Sequence, residues 1–123
     1  MSVNMDASNL QSTIVNELFR PQECLDKFNS AKTVVDAFST FPTDIDYSEP
    51  KAVMRLAFQL AFWSVQNGGG PFGTVIVNNG EVLSYGANHV VKHKDPTEHG
   101  EVNALRRALE LGTKDKLQGA TLF

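Results

Sequence analysis

Residues Thr74 to Tyr85 narrow the possible folds more than any other stretch of the chain. Thr74-Val75-Ile76-Val77 is a β-branched run, which suits a pleated strand buried on both faces. Asn78-Asn79-Gly80 follows, and Asn-Gly supplies the positive φ angles that a tight hairpin turn needs. Glu81 to Tyr85 reads as the return strand, and Gly86-Ala87-Asn88 as its exit into a loop reaching Asp95. A strand covered on both faces calls for helices, and amphipathic stretches flank the hairpin on either side.

The first flanking helix opens with Ser48 as its cap and with Glu49 and Pro50 in its first turn. Met54, Ala57, Leu60, Ala61 and Val65 form the expected buried stripe, which Val53, Leu56 and Trp63 widen. Asn67 and the three glycines after it end the helix. The second helix is expected to start at Thr97, a good N-cap behind Pro96, and to bury Val102, Leu105, Ala108, Leu109 and Leu111 before Gly112 stops it. Residues 1 to 46 read as a helical extension. Leu10, Ile14, Val15 and Leu18 share one face of a helix ended by Pro21. Cys24, Leu25, Phe28, Val34, Val35 and Phe38 form a second stretch that Asn29-Ser30 can divide, and Phe41 to Tyr47 is a connector.

The chemistry-bearing string is Asp95-Pro96-Thr97-Glu98-His99-Gly100-Glu101. On a helix, His99 and Glu101 would point roughly 200° apart. They can still serve one site beyond the helix end, because first-turn side chains lean toward the N-terminus, where the partial positive charge suits a hydroxide or thiolate. That arrangement asks for a metal. Alone, however, a histidine and a glutamate two apart are an ordinary polar first turn. Asp95 and Thr97 read as capping residues, Glu98 as a solvated acid, and His89 and His93 as exposed loop histidines that a metal could recruit.

With Gly69-Gly70-Pro71-Phe72-Gly73 ahead of the hairpin, the D-P-T-x-H-x-E-x-x-A-L string resembles the zinc-dependent cytidine/deoxycytidylate deaminase superfamily, nearest its guanine deaminase and tRNA adenosine deaminase branch. The resemblance runs from about Glu49 to Phe123. It implies a deaminase-like domain over 47–123: a three-layer α/β/α fold with a mixed central sheet, represented by its N-terminal half of helix, hairpin, helix and strand. Ala120 to Phe123 would be the third strand, beside the first. The resemblance also implies Zn2+ held by His99 and two cysteines, a proton-transferring Glu101 that does not bind metal, an Asn88 that hydrogen-bonds substrate, and an aromatic Phe72 near the pocket. Read without it, Asn88 is a turn residue and Phe72 core packing. Gly100 stands where this branch commonly has alanine. The family's P-C-x-x-C element does not occur in these residues, whose single cysteine is Cys24, so the chain is expected to be C-terminally incomplete and to bind zinc weakly.

A charge of −3 and no basic run longer than Arg106-Arg107 weigh against a nucleic-acid partner and toward a small purine base or nucleoside. One cysteine, no signal-like N-terminus and no long apolar run point to a cytoplasmic protein without a membrane partner. An edge strand at Ala120 to Phe123 would favour a homo-oligomer. Three functions follow: a zinc-dependent hydrolytic deaminase with a guanine-like substrate, an inactive pseudo-deaminase that binds or regulates, or an unrelated small α/β domain.

Overall fold

Asn79 and Gly80 take φ of 51° and 73°, so the Asn-Gly turn closes strand β1 (Gly73–Asn78) onto strand β2 (Glu81–Ala87). The computed structural model describes residues 22–123. The helix expected over Leu10 to Leu18 and the Cys24 side chain lie outside the described residues. Among the described residues three helices precede the hairpin: α1 (Gln22–Ser30), α2 (Val34–Ser39) and α3 (Pro50–Gln66). After it come a short α4 (Val90–His93), α5 (Gly100–Leu111), a 3₁₀ turn over Lys114–Lys116 and strand β3 (Thr121–Leu122). The sheet order is β2-β1-β3, with both pairs antiparallel.

The division expected near Asn29-Ser30 is present, and Thr33 caps α2 by accepting a hydrogen bond from the Asp36 amide at 3.1 Å. β2 extends past Tyr85 to Ala87, because Gly86 and Ala87 still pair with Thr74 and Gly73. A bulge interrupts the register: Ile76 lies opposite Ser84 and Val77 opposite Val82, leaving Leu83 as the extra residue. It turns Leu83 and Ser84 toward α5, while Val82 and Tyr85 face α3.

Alternation along β1 builds three layers. Val75 and Val77 meet Val53, Leu56, Ala57, Leu60 and Trp63 on one face; Ile76 joins Leu83 and Ala104 on the other. All four residues from Thr74 to Val77 are buried, as the β-branched run requires. The N-terminal helices add Phe28, Ala31, Val34, Ala37 and Phe41 to the α3 side, where the Trp63 indole donates to the Ala31 carbonyl at 3.0 Å. Phe38 lies flat on Tyr85, with ring centroids 3.9 Å apart. No helix among the described residues is long and apolar enough to cross a membrane.

Several expectations are corrected. The cap of α3 is Glu49, whose carboxylate accepts from the Lys51 amide, while Ser48 bonds Asp46 instead. Its buried side runs through Val53, Leu56, Ala57, Leu60, Trp63 and Ser64, whereas Met54 and Val65 are exposed. At 3.6 residues per turn this lies about a quarter-turn from the expected stripe. The helix is apolar over a wider arc than the core covers, so periodicity alone could not choose the centre. In α5 the displacement is larger. Gly100, Ala104 and Ala108 are buried, while Leu105, Leu109 and Leu111 are exposed.

The reason is the closeness of α5 to β2. A Cβ at Gly86 would sit 2.5 Å from the Gly100 carbonyl and 2.6 Å from the Ala104 amide, so only a small-residue face fits there. Gly86→Ala is therefore expected to lower stability by about 1–3 kcal/mol, the usual cost of overpacking, read as a lower urea midpoint with an unchanged slope. Gln59 is 1% exposed, and neither of its side-chain polar atoms has a hydrogen-bond partner among the described residues. Gln59→Met should raise the urea midpoint, by about 1 kcal/mol of stability, because it removes an amide buried without partners.

Candidate active site

The C-terminal end of β2 and the N-terminal end of α5 meet at one place, and hydrogen bonds fix both. Asn88 follows β2 directly and is 6% exposed. Its amide donates to the Phe72 carbonyl at 3.1 Å, and its own carbonyl accepts from the Ser64 hydroxyl at 2.9 Å. Asn88 Oδ1 accepts from the Val90 amide at 3.1 Å, which makes it a turn residue as well. Its Nδ2 donates to no protein acceptor among the described residues. Across the gap, the Asn103 side chain donates to the Ala87 carbonyl at 2.9 Å, and the His89 amide donates to the Glu98 carbonyl at 2.9 Å.

The start of α5 differs from the expected one. His99, not Thr97, is the N-cap residue, with extended φ and ψ of −69° and 154°. Thr97 instead bonds Asp95 through both its amide and its hydroxyl, at 2.8 and 2.7 Å, closing a turn ahead of the helix. Those two bonds hold the Asp95 carboxyl below its ordinary pKa. An extended cap lies outside helical geometry, so the 200° separation of His99 and Glu101 does not apply. The His99 Nδ1 lies 3.4 Å from Glu101 Oε1, with both side chains about half exposed. The His99 side chain makes no capping bond.

Phe72, Asn88, His99 and Glu101 line one cavity of about 260 Å3. The structure thus brings together all four residues singled out in the sequence. Phe72 is 59% exposed, so it is a wall of the cavity and not core packing. Gly100 sits beneath, where an added Cβ would lie 3.2 Å from the Thr74 hydroxyl, so an alanine side chain would need Thr74 to give by a few tenths of an ångström. Sequence reasoning missed Ser64 and Asn103, which position Asn88 and the strand end before it. Their signal was a polar residue within an otherwise apolar helix face, and an asparagine four residues after His99.

The neighbouring histidines do not join this cavity. His93 Nδ1 lies 2.7 Å from Glu98 Oε2, so Glu98 is a partnered and largely covered acid, not a solvated one. His89 is half-buried, not exposed, and its ring meets those of Trp63 and His93. Arg107 donates to the Tyr85 carbonyl at 3.0 Å. Burial pushes the His89 pKa below the ordinary value; repulsion from His93 adds to this, as do Lys92 and Arg107, against a pull from Glu98. Among the described residues no three His, Cys, Asp or Glu side chains are grouped to hold a metal ion. His89 and His93 therefore do not complete a site with His99.

Since His89 protonates more readily in the unfolded chain, its neutral form stabilises the fold fully above the unfolded value of 6.5. That contribution is lost as the pH falls through the lower folded value. His89→Gln should flatten urea stability as the pH falls below 6.5 while leaving the loss linked to Asp46 and Asp95 at lower pH, below their ordinary 3.8.

Residues 47–123 match the family model described as the cytidine and deoxycytidylate deaminase zinc-binding region. Over 71 residues the chain is 44% identical to guanine deaminase of Bacillus subtilis (strain 168), covering 57% of this chain and 46% of that protein. Over 70 residues it is 33% identical to tRNA-specific adenosine deaminase of Aquifex aeolicus (strain VF5), with the same coverages of 57% and 46%. An X-ray structure of the Bacillus subtilis guanine deaminase aligns with a TM-score of 0.48 and 41% identity, over 51% of this chain and 41% of that one. The chain spans a little under half the length of these relatives.

Proposed function

The chain belongs to the cytidine and deoxycytidylate deaminase family, and we propose that its site serves the hydrolytic deamination of a purine-type base or nucleoside, with a guanine-like base favoured. The observation that carries this reading is the single cavity lined by Phe72, Asn88, His99 and Glu101. Its 260 Å3 lies just below the roughly 300–1,000 Å3 of drug-sized pockets, a size suited to one heterocyclic ring system. The name of the guanine deaminase relative at 44% identity supports the choice of base.

The reaction exchanges an exocyclic amine for a carbonyl oxygen, with water supplying the oxygen and ammonia leaving. Glu101 is proposed as the proton carrier: its carboxylate accepts a proton from the attacking water and returns protons to the ring nitrogen and the departing amine. The unengaged Nδ2 of Asn88 would donate to an acceptor on the base edge, and Phe72 would cover a ring face. The family's region is a zinc-binding one, and His99 is the proposed imidazole ligand. A zinc site of this kind takes three protein ligands, and the described residues place no such group. The residues present thus do not by themselves fit the metal, and no step is assigned to it here. Residues 1–46 are proposed as an extension of the deaminase region at 47–123, in a cytoplasmic homo-oligomer.

A second reading is a pseudo-deaminase that binds or regulates without turnover. Two measurements separate the readings. The 123-residue chain should lose zinc on dialysis; stoichiometric retention would require ligands other than those identified. Extended with a P-C-x-x-C segment from a guanine deaminase relative, it should release ammonia from guanine, and Glu101→Gln should reduce that rate at least about 100-fold while zinc stays bound. An extended protein that holds zinc yet releases no ammonia from any purine would favour the pseudo-deaminase.

A further inference from the structure

A second, larger cleft of about 450 Å3 lies against the other side of the segments that carry the active-site residues. The wall between the two is thin: Ala87–Asn88–His89 and Glu98–His99, joined by the His89 amide and the Glu98 carbonyl at 2.9 Å. Its far side is formed by Lys32–Val35, at the start of α2, and its remaining wall by α4 and the outer turns of α5.

The charge inside is opposite to that of the whole chain. Lys32, Lys92, Arg106 and Arg107 line it, four of the chain's eleven lysines and arginines, against two of its fourteen carboxylates, Glu98 and Glu110. A chain of net charge −3 therefore gathers cations at this one place. The Glu98 carboxylate is already engaged by His93 at 2.7 Å. Among the described residues no carboxylate lies within ion-pair distance of any of the four cations. The Arg107 guanidinium is fixed by the Tyr85 carbonyl and lies over the Tyr85 ring, 5.0 Å from its centroid. Lys92 lies 5.9 Å from the centroid of the Trp63 ring. The Arg106 guanidinium donates to the Thr97 hydroxyl at 3.4 Å and lies near enough to Asp95 to help hold its carboxyl below the ordinary pKa. Cations held around a cavity repel one another, and an anion between them relieves that repulsion.

We propose that this cleft binds the phosphate group of a small phosphorylated ligand. Arginine and lysine are the side chains that meet phosphate oxygens with charge-assisted hydrogen bonds. The cleft has the volume of a small-molecule site, whereas a long polyanion would meet the net negative charge of the rest of the chain. The site is independent of the deaminase reading, and its test involves no turnover.

Inorganic phosphate is titrated into the 123-residue chain at constant ionic strength, with the amide resonances of residues 89–93 followed by NMR. Saturable shifts are expected, weakened at least tenfold in Lys92→Gln/Arg106→Gln. Both side chains are exposed, so the exchange leaves the core untouched. Lys114→Gln/Lys116→Gln removes the same charge elsewhere on the surface and should bind phosphate as the original chain does. Shifts that chloride reproduces at equal ionic strength, or equal loss in both double variants, would overturn the proposal. So would a single-stranded oligoribonucleotide that binds the cleft with steep salt dependence where phosphate does not.

Discussion

The contact on which the rest depends is the seating of α5 against β2. It is made by backbone, by small or polar side chains and by Leu83 against Ala104, not by the leucines of α5. The Ser84 hydroxyl donates to the Ala104 carbonyl at 2.6 Å, Asn103 to the Ala87 carbonyl and Arg107 to the Tyr85 carbonyl. Gly86, with no Cβ, lets the helix backbone come close enough for these bonds to form. Since Asn88 is the residue after β2 and His99 the residue before α5, this seating sets the distance across the cavity. A helix held on larger side chains would carry His99 and Glu101 away from Asn88 and Phe72.

The β-bulge belongs to the same constraint. Strict alternation would place Leu83 and Ser84 on opposite faces of the sheet. The extra residue lets Leu83 fill the space beside Ile76 while Ser84 still reaches Ala104. Val82 and Tyr85 are thereby both left to the α3 side, where Tyr85 receives Phe38 from the N-terminal helices. One local irregularity thus serves the seating of α5 on one face and the docking of α2 on the other.

The hairpin was legible because its signals are local: a β-branched run and an Asn-Gly turn act through neighbouring dihedral angles. The residues that line the cavity were singled out through the family resemblance: its motif carries His99 and Glu101, while Asn88 and Phe72 match positions ahead of it. The faces of α3 and α5 were not. Both helices are apolar over more of their circumference than the described core covers, so Met54, Phe58, Leu105 and Leu109 stand exposed. A pattern reading centres on the bulkiest residues. The structure instead buries Gly100, Ala104 and Ala108, since close backbone approach depends on the absence of bulk, which hydrophobic periodicity does not report. The start of α5 was misplaced for a related reason. Thr97 is the better capping residue in isolation, but Asp95 takes both of its donors.

That displacement changes what the motif can do. A usual N-cap side chain accepts a hydrogen bond from an amide of the first turn and is spent in doing so. His99 makes no such bond, and its backbone carbonyl alone begins the helix by accepting from the Asn103 amide at 2.9 Å. The imidazole is not spent on a cap and lies beside the cavity, 3.4 Å from Glu101 Oε1. The first-turn amides keep their partial positive charge at the place where Glu101 projects. An anion in the cavity would feel that field. Putting the histidine in the capping position therefore does two things at once: it releases the side chain for a ligand, and it leaves the helix end uncovered toward the residue proposed to move protons.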